Sequence, residues 1–253
     1  MTGRSTDRLS GPGEPEFSLL PGARDLLLDA VELTPDLAER RAAAAELGAA
    51  LRELVDAAVR SEVEPDVLRA TAAAVRPLVD ALAERRRRRT QIPVTDDLIT
   101  GVRMYSPACG AGNPVAPPMT IEQRGDRVVG TCTLGLAYEG PHMFGHGGIS
   151  AMLLDQILGH AVAAIRAPGM TIELTTRYRR PVPLETPLVL WGQAFRDDGM
   201  VIRARGAICL ASDPDTPLVD ATAEFVTLRP EQAMRIFAGT ERPTRVDPAA
   251  AHD

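Results

Sequence analysis

Residues 145–164 read GHGGISAMLLDQILGHAVAA and carry the most informative structural pattern in the chain. The glycines of this stretch allow a tight turn, and the residues after the turn predict one helix over 148–164 with an apolar body that includes Leu153, Leu154 and Ile157. Segments rich in Val, Ile, Leu and Thr, typical of strands, stand on both sides of this helix. We therefore expect an antiparallel sheet wrapped around a single central helix, which is an α+β fold.

Two strand-like segments precede the helix and four come after it, with turn signals between them. They lie at 119–123, 127–137, 170–178, 187–196, 200–210 and 218–228.

The N-terminal part of the chain has a sequence pattern typical of helices instead. Thr34–Asp36 is a typical helix start, and Leu and Val residues three or four positions apart predict a helical hairpin over about 34–88. Pro77 is expected to kink or restart the second helix. Arg85–Arg89 stand at the end of that helix. They are either a solvated basic end that suits the negative end of the helix dipole, or a binding site for phosphates, of coenzyme A or of an anionic surface.

These sequence patterns divide the chain into four predicted parts. We expect a flexible tail over 1–33, a helical hairpin extension over 34–95, the α+β domain over 100–235 and a polar C-terminal tail over 236–253.

Composition excludes several classes of function. The 253 residues include 45% hydrophobic ones and carry a formal charge of −6, which argues against general nucleic-acid binding. The basic residues are all Arg, so lysine Schiff-base and P-loop chemistry are excluded. Three widely spaced cysteines indicate neither a disulfide framework nor a zinc site. Without an apolar run long enough to span a membrane, or a secretory signal at the start, we expect a cytoplasmic protein.

The turn before the central helix is the strongest candidate for chemistry. The first N–H groups of a helix have no partner within it, so those of Gly147 and Gly148 can bind an oxyanion. Asp155 is a carboxylate inside the apolar body of the same helix, nine residues after His146, or about 13 Å along the axis. If both groups serve one site, they must come from different subunits, and the protein must be at least a dimer.

Two blocks of this sequence resemble a known family, over about residues 113–230. The matching residues are Tyr138-Glu139-Gly140-Pro141, His146-Gly147-Gly148 and Asp155 in the first block, and Thr171-Ile172-Glu173-Leu174, Tyr178 and Arg180-Pro181-Val182-Pro183 in the second. They resemble the hotdog-fold acyl-CoA thioesterases of the PaaI type and related thioesterase superfamily members. The resemblance implies a hotdog fold, paired into homodimers or dimers of dimers.

The resemblance also implies roles for individual residues. Asp155 would be the nucleophile or the general base, and these two roles remain open. The backbone N–H of Gly147 would hold the oxyanion, and His146 would shape the turn. Thr171, sixteen positions after Asp155, would help to place a water or the carboxylate. The substrate would be an acyl-CoA, with no metal and no cofactor besides the coenzyme A that the substrate carries.

Several other residues are candidates for substrate binding. Strict alternation along the strand would put Arg177 and Arg179 on one face with Thr171, and Arg180 on the other. These arginines would contact the coenzyme A phosphates or pantetheine, or form ion pairs at a strand end or dimer edge.

The approach to the turn gives two more candidates. Gly148 allows a ligand to come close to the backbone, and Phe144 is expected to help line the acyl pocket. Relatives often carry a Pro-Gly pair before the turn where this chain has His142-Met143-Phe144, so the pocket or turn is expected to differ.

Two other functions remain open. The added helical part favours a non-catalytic acyl-CoA-binding or partner-docking protein on the same scaffold. His160, five positions after Asp155, has the spacing of hotdog enoyl-CoA hydratases.

Overall fold

The computed structural model describes residues 33–97, 100–167, 169–196 and 201–241. The helices are α1 (Pro35–Arg60), α2 (Pro65–Ala83), α3 (Gly147–Ala164) and α4 (Pro230–Ile236), and a 3-10 turn lies at Leu136–Tyr138. The strands are β1 (Thr120–Arg124), β2 (Arg127–Thr133), β3 (Met170–Tyr178), β4 (Pro187–Arg196), β5 (Val201–Leu210) and β6 (Asp213–Val226). None of the described helices is both long and apolar enough to cross a membrane.

The strands form one antiparallel sheet around α3. Their order is β1-β2-β4-β5-β6-β3, so β1 and β3 are its edges in the described part of the chain. The helix packs mainly on β4, β5 and β2. Leu153, Leu154 and Ile157 are fully buried in this contact, because the sheet curls around the apolar body of the helix. The predicted α+β fold with a wrapped central helix is therefore confirmed.

Most predicted strand bounds hold to within two residues, with two larger differences. β2 ends at Thr133 rather than at residue 137, because Leu134 is fully buried and the chain then enters the 3-10 turn. β6 begins at Asp213 rather than at residue 218, because Asp213 already pairs with Leu210. The acidic segment with turn signals thus forms the start of a strand.

α4 lies at the predicted boundary of the C-terminal tail and was not expected from the sequence. Pro230 stands at the first helical position, and the Gln232 side chain accepts a hydrogen bond from the Arg229 N–H at 3.1 Å. The predicted N-terminal tail lies outside the described residues except for Leu33, and the predicted C-terminal tail is described only as far as Glu241.

Arginines, rather than the predicted apolar stripe, attach α1 to the rest of the chain. Arg41 donates to the Thr95 carbonyl at 2.8 Å, Arg52 donates to the Ala111 carbonyl at 2.9 Å, and Arg60 pairs with Glu185 at 2.5 Å. The stripe itself is largely open to solvent, with 38–52% exposure at Leu47, Leu54, Val55 and Val59.

α2 is amphipathic, and none of its residues is buried. It makes few contacts with α1, although both helices form where the sequence predicts them. Its apolar face is 48–59% exposed at Val67, Leu68, Leu78, Val79 and Leu82. The helix continues through Pro77, so the predicted restart does not occur. The apolar face of α2 is therefore not covered by the described residues.

A glycine-to-alanine pair tests the attachment of α1. A Cβ at Gly48 would lie 2.4 Å from the Ala111 carbonyl oxygen, whereas a Cβ at Gly159 in α3 would meet nothing within 4 Å. Alanine favours a helix by about 1 kcal/mol over glycine, but overpacking costs about 1–3 kcal/mol. We expect Gly48→Ala to lower the free energy of unfolding in urea and Gly159→Ala to raise it. Stabilisation by both would contradict the close packing of α1.

Candidate active site

The turn before α3 is held by a network of backbone and side-chain hydrogen bonds. The His146 N–H donates to the Tyr138 carbonyl at 2.8 Å, and the Gly145 N–H donates to the Val182 carbonyl at 2.8 Å. His146 caps α3, because its Nδ1 accepts a hydrogen bond from the Gly148 N–H at 3.0 Å. A neutral imidazole that accepts at Nδ1 carries its proton on Nε2. His146 thus shapes the turn and occupies the Gly148 donor.

The N–H of Gly147 is left available at the start of α3. Among the described residues it has no acceptor. The Tyr178 hydroxyl donates to the Gly147 carbonyl at 2.9 Å and fixes this peptide. A Cβ at Gly147 would lie 3.3 Å from the Tyr178 ring, so glycine suits the position. An unpaired N–H at a helix N-terminus can bind an oxyanion.

The carboxylate of Asp155 lies further along α3 and contacts β3. The Thr171 hydroxyl donates to Asp155 Oδ1 at 2.9 Å, which joins the central helix to the first residues of the edge strand. We refer to Asp155 and Thr171 as the acid pair. Asp155 is half-buried and Thr171 is exposed, so a reactant can approach the pair. This arrangement fixes the carboxylate and leaves one of its oxygens available for chemistry.

A bulge at Ile172 changes which side chains of β3 share a face. Thr171 pairs with the buried Phe225, whereas Glu173 pairs with Glu224. Thr171 therefore faces α3, and strict alternation from this residue fails.

The bulge corrects the predicted placement of the arginines. Arg177 pairs with Asp220 and lies on the same face as Glu173, opposite to Thr171. Arg179 comes directly after the strand and forms an ion pair with Asp220. The prediction that Arg177 and Arg179 share a face with Thr171 is wrong, because one extra residue in β3 inverts the alternation.

A cavity of about 370 Å³ opens beside the turn. It brings together four of the candidate residues, Phe144, Gly147, Arg179 and Arg180, with Pro141, Gly145, Ser150, Tyr178, Pro181 and Val182. Arg177 and the acid pair are not in its lining. We refer to His146, Gly147 and this lining as the turn cluster.

Tyr178 and Ser150 carry the hydroxyl groups among the turn-cluster residues that the sequence did not indicate as site residues. Tyr178 belongs to the matched second block, but nothing there indicated its bond to Gly147. Ser150 is 1% exposed, and its hydroxyl has no partner among the described residues. Its position three residues after Gly147, on the same helical face, is the signal that could have identified it.

Within a single protomer, the turn cluster and the acid pair lie far apart. His146 and Asp155 lie at the cap and in the body of one continuous helix, about 13 Å apart along its axis. His160, further along, shows no hydrogen bond to Asp155 among the described residues, and burial lowers the pKa of its imidazole. In the part of the chain that the structure describes, no group of three His, Cys, Asp or Glu side chains could hold a metal ion.

Comparison with solved structures finds an extensive likeness to a thioesterase superfamily protein. No family model matches the sequence, and no curated protein matches it. The crystal structure of a thioesterase superfamily protein is 35% identical, covers 72% of this chain and 94% of its own, and superimposes with a TM-score of 0.65.

Two more distant likenesses each cover less than half of this chain. A Streptococcus pneumoniae hypothetical thioesterase protein with coenzyme A is 22% identical over 43% of this chain and 86% of its own, with a TM-score of 0.39. The Escherichia coli PaaI protein is 16% identical over 43% of this chain and 82% of its own, also with a TM-score of 0.39. The 35% identity over most of both chains shows that this chain belongs to the thioesterase superfamily of hotdog-fold proteins.

Proposed function

We propose that the protein hydrolyses acyl-CoA thioesters to a free acid and coenzyme A. The observation that carries this proposal is the available Gly147 N–H at the start of the helix that also presents Asp155. Thioester hydrolysis can use a donor at the carbonyl oxygen and a carboxylate that attacks the carbonyl carbon or activates a water, and α3 supplies one of each.

The reaction proceeds through these two groups. The thioester carbonyl oxygen accepts from the Gly147 N–H, which stabilises the negative charge that develops there. Asp155 either attacks the carbonyl carbon or takes a proton from the water that attacks it. The C–S bond then breaks, and the sulfur leaves as the thiol of coenzyme A after taking up a proton. In the first route, water hydrolyses the resulting anhydride. Neither route requires a metal or a cofactor besides the coenzyme A of the substrate.

Both groups reach one thioester if two copies pair through β3. This edge strand is exposed, including Met170 at 41% and Ile172 at 57%. Its two ends carry the two halves of the chemistry, because Thr171 binds Asp155 and Tyr178 binds Gly147. Antiparallel pairing of β3 with its copy brings the Thr171 end of one protomer to the Tyr178 end of its partner.

Such a homodimer contains two equivalent sites. Each site combines the acid pair of one protomer with the turn cluster of its partner, and a dimer of dimers would contain four.

The turn cluster also supplies the substrate contacts in this proposal. Phe144 packs against the acyl chain or pantetheine within the cavity, and the glycine turn lets the thioester approach the backbone. Arg180 makes no ion pair among the described residues and is available to a coenzyme A phosphate, whereas Arg179 is held by Asp220. Arg177, on the outer face, suits an ion pair at the dimer edge.

One observation favours a second candidate function. The uncovered apolar face of α2 is what a partner-docking protein would present, with acyl-CoA bound but not hydrolysed. Release of free thiol from an acyl-CoA distinguishes this function from hydrolysis.

Substitution of the carboxylate tests the proposed chemistry. Asp155→Asn should lower kcat by at least about 100-fold, because the variant lacks the nucleophile or base. Free-thiol release from short, long and aromatic acyl-CoAs measures the loss, and Asp66→Asn on α2 is the control that should keep wild-type rates. An Asp155→Asn enzyme with a near-wild-type rate would overturn the role of this carboxylate.

The β3 interface has its own test. Ile172→Arg places a charge at the exposed edge and should convert the dimer to a monomer with lost turnover. Light scattering after size-exclusion chromatography gives the mass, and Val115→Arg, at a loop position that is 64% exposed, is the matched control. A dimer that persists, or a monomer that turns over at the wild-type rate, would argue against shared sites at this edge.

A further inference from the structure

A second cavity lies in the N-terminal part of the protein, away from the turn cluster. It has a volume of about 900 Å³, opens to solvent, and is lined by Arg40 of α1, the residues after α2 and the segment that precedes β1. We call it the arginine cavity, because Arg40, Arg85, Arg86 and Arg87 line it together with one acidic residue, Glu84.

The charge in this cavity is opposite to that of the whole chain. Arg40 is matched by Asp36 at 3.1 Å, and Arg87 donates to the Gln91 carbonyl at 3.1 Å. The side chains of Arg85 and Arg86 make no ion pair or hydrogen bond among the described residues. A protein with a net charge of −6 therefore concentrates unmatched positive charge around one concave surface.

Two buried donors without partners among the described residues lie at or beside the lining of the arginine cavity. Thr95 lines the cavity and is 5% exposed, and its hydroxyl has no partner among the described residues. Behind it, Arg41 donates through Nε to the Thr95 carbonyl, while its Nη2 is buried and also without a partner there. Buried donors are normally satisfied, so these two groups indicate an acceptor that the described residues do not supply.

We propose that the arginine cavity binds a phosphorylated ligand of nucleotide size. Guanidinium groups hold phosphate oxygens through paired, charge-assisted hydrogen bonds and keep their charge at any physiological pH. Tyr105 lines the same cavity with a ring that is 41% exposed, which suits stacking against a base. The volume lies in the usual range for small-molecule sites, and inorganic phosphate alone would leave most of it empty.

Two kinds of ligand carry such a phosphorylated nucleotide: coenzyme A, through its nucleotide end, and a free nucleotide. One hydrogen bond connects a segment that lines the cavity to the helix of the acid pair. Ser106 comes directly after Tyr105 in the chain, and its hydroxyl donates to the Gln156 side chain at 3.2 Å, next to Asp155. Either ligand would therefore contact a segment that is bonded to the helix carrying the carboxylate.

Binding is tested by calorimetry on the full chain with Asp155→Asn, so that turnover does not interfere. The ligands are coenzyme A, adenosine 3′,5′-bisphosphate, ADP and inorganic phosphate, with adenosine as the uncharged control. Arg85→Glu with Arg86→Glu reverses the cavity charge, and Arg69→Glu with Arg76→Glu makes the same charge change on α2, outside the cavity. We expect the cavity variant to lose at least about tenfold in affinity for the phosphorylated nucleotides, and the control variant to keep it.

The ligand series separates these two kinds of ligand. Binding of coenzyme A and the 3′,5′-bisphosphate but not ADP assigns the cavity to the substrate, and the cavity variant should then raise KM for acyl-CoA in the wild-type background without changing kcat. Binding of ADP assigns it to a free nucleotide. The proposal is overturned if coenzyme A, the 3′,5′-bisphosphate and ADP all fail to bind at about 1 mM, or if both double variants bind these compounds equally. The calorimetric results do not depend on thioester hydrolysis, so the binding proposal can fail or succeed independently of the proposed function.

Discussion

The rigidity of α3 constrains everything else in this protein. A continuous helix fixes the distance between its capped N-terminus and any residue in its body, here about 13 Å between His146 and Asp155. Burial of Leu153, Leu154 and Ile157 against the sheet prevents the helix from bending to shorten that distance. The Gly147 N–H, proposed as the oxyanion donor, and the Asp155 carboxylate are thus separated within a chain by the same packing that builds its core, which is why the proposed site is shared between subunits.

β3 contacts both separated groups, and its pairing with a second copy can bring them to one substrate. It holds the carboxylate through Thr171 at one end and the oxyanion turn through Tyr178 at the other. The bulge at Ile172 lets Thr171 face α3, although Tyr178, seven positions on, faces it as well. Without the bulge, two residues an odd number of positions apart would point to opposite faces of the sheet. An irregularity of one residue therefore sets up both halves of the proposed site.

The sequence predicts the part of this protein that depends on local pattern. The helix around Asp155 and its wrapping sheet agree with the structure, because hydrophobic periodicity carries them. The family resemblance implied that Thr171 places a water or the carboxylate, and in the structure its hydroxyl donates to Asp155. The face of Arg177 could not be predicted, since no residue type marks a bulge in advance. The attachment of α1 was also missed, because arginines at helical spacing look like a solvated surface until their carbonyl acceptors are known.

Subunit complementation is the sharpest test of a site shared between two chains. Asp155→Asn and Gly147→Val each remove a different half of the proposed site, and the two inactive chains are co-expressed with different tags and purified as mixed dimers. We expect each mixed dimer to contain one intact site, made of Asp155 from one chain and Gly147 from the other, and to recover about half of the wild-type rate. Mixed dimers as inactive as either parent would contradict a site shared between subunits.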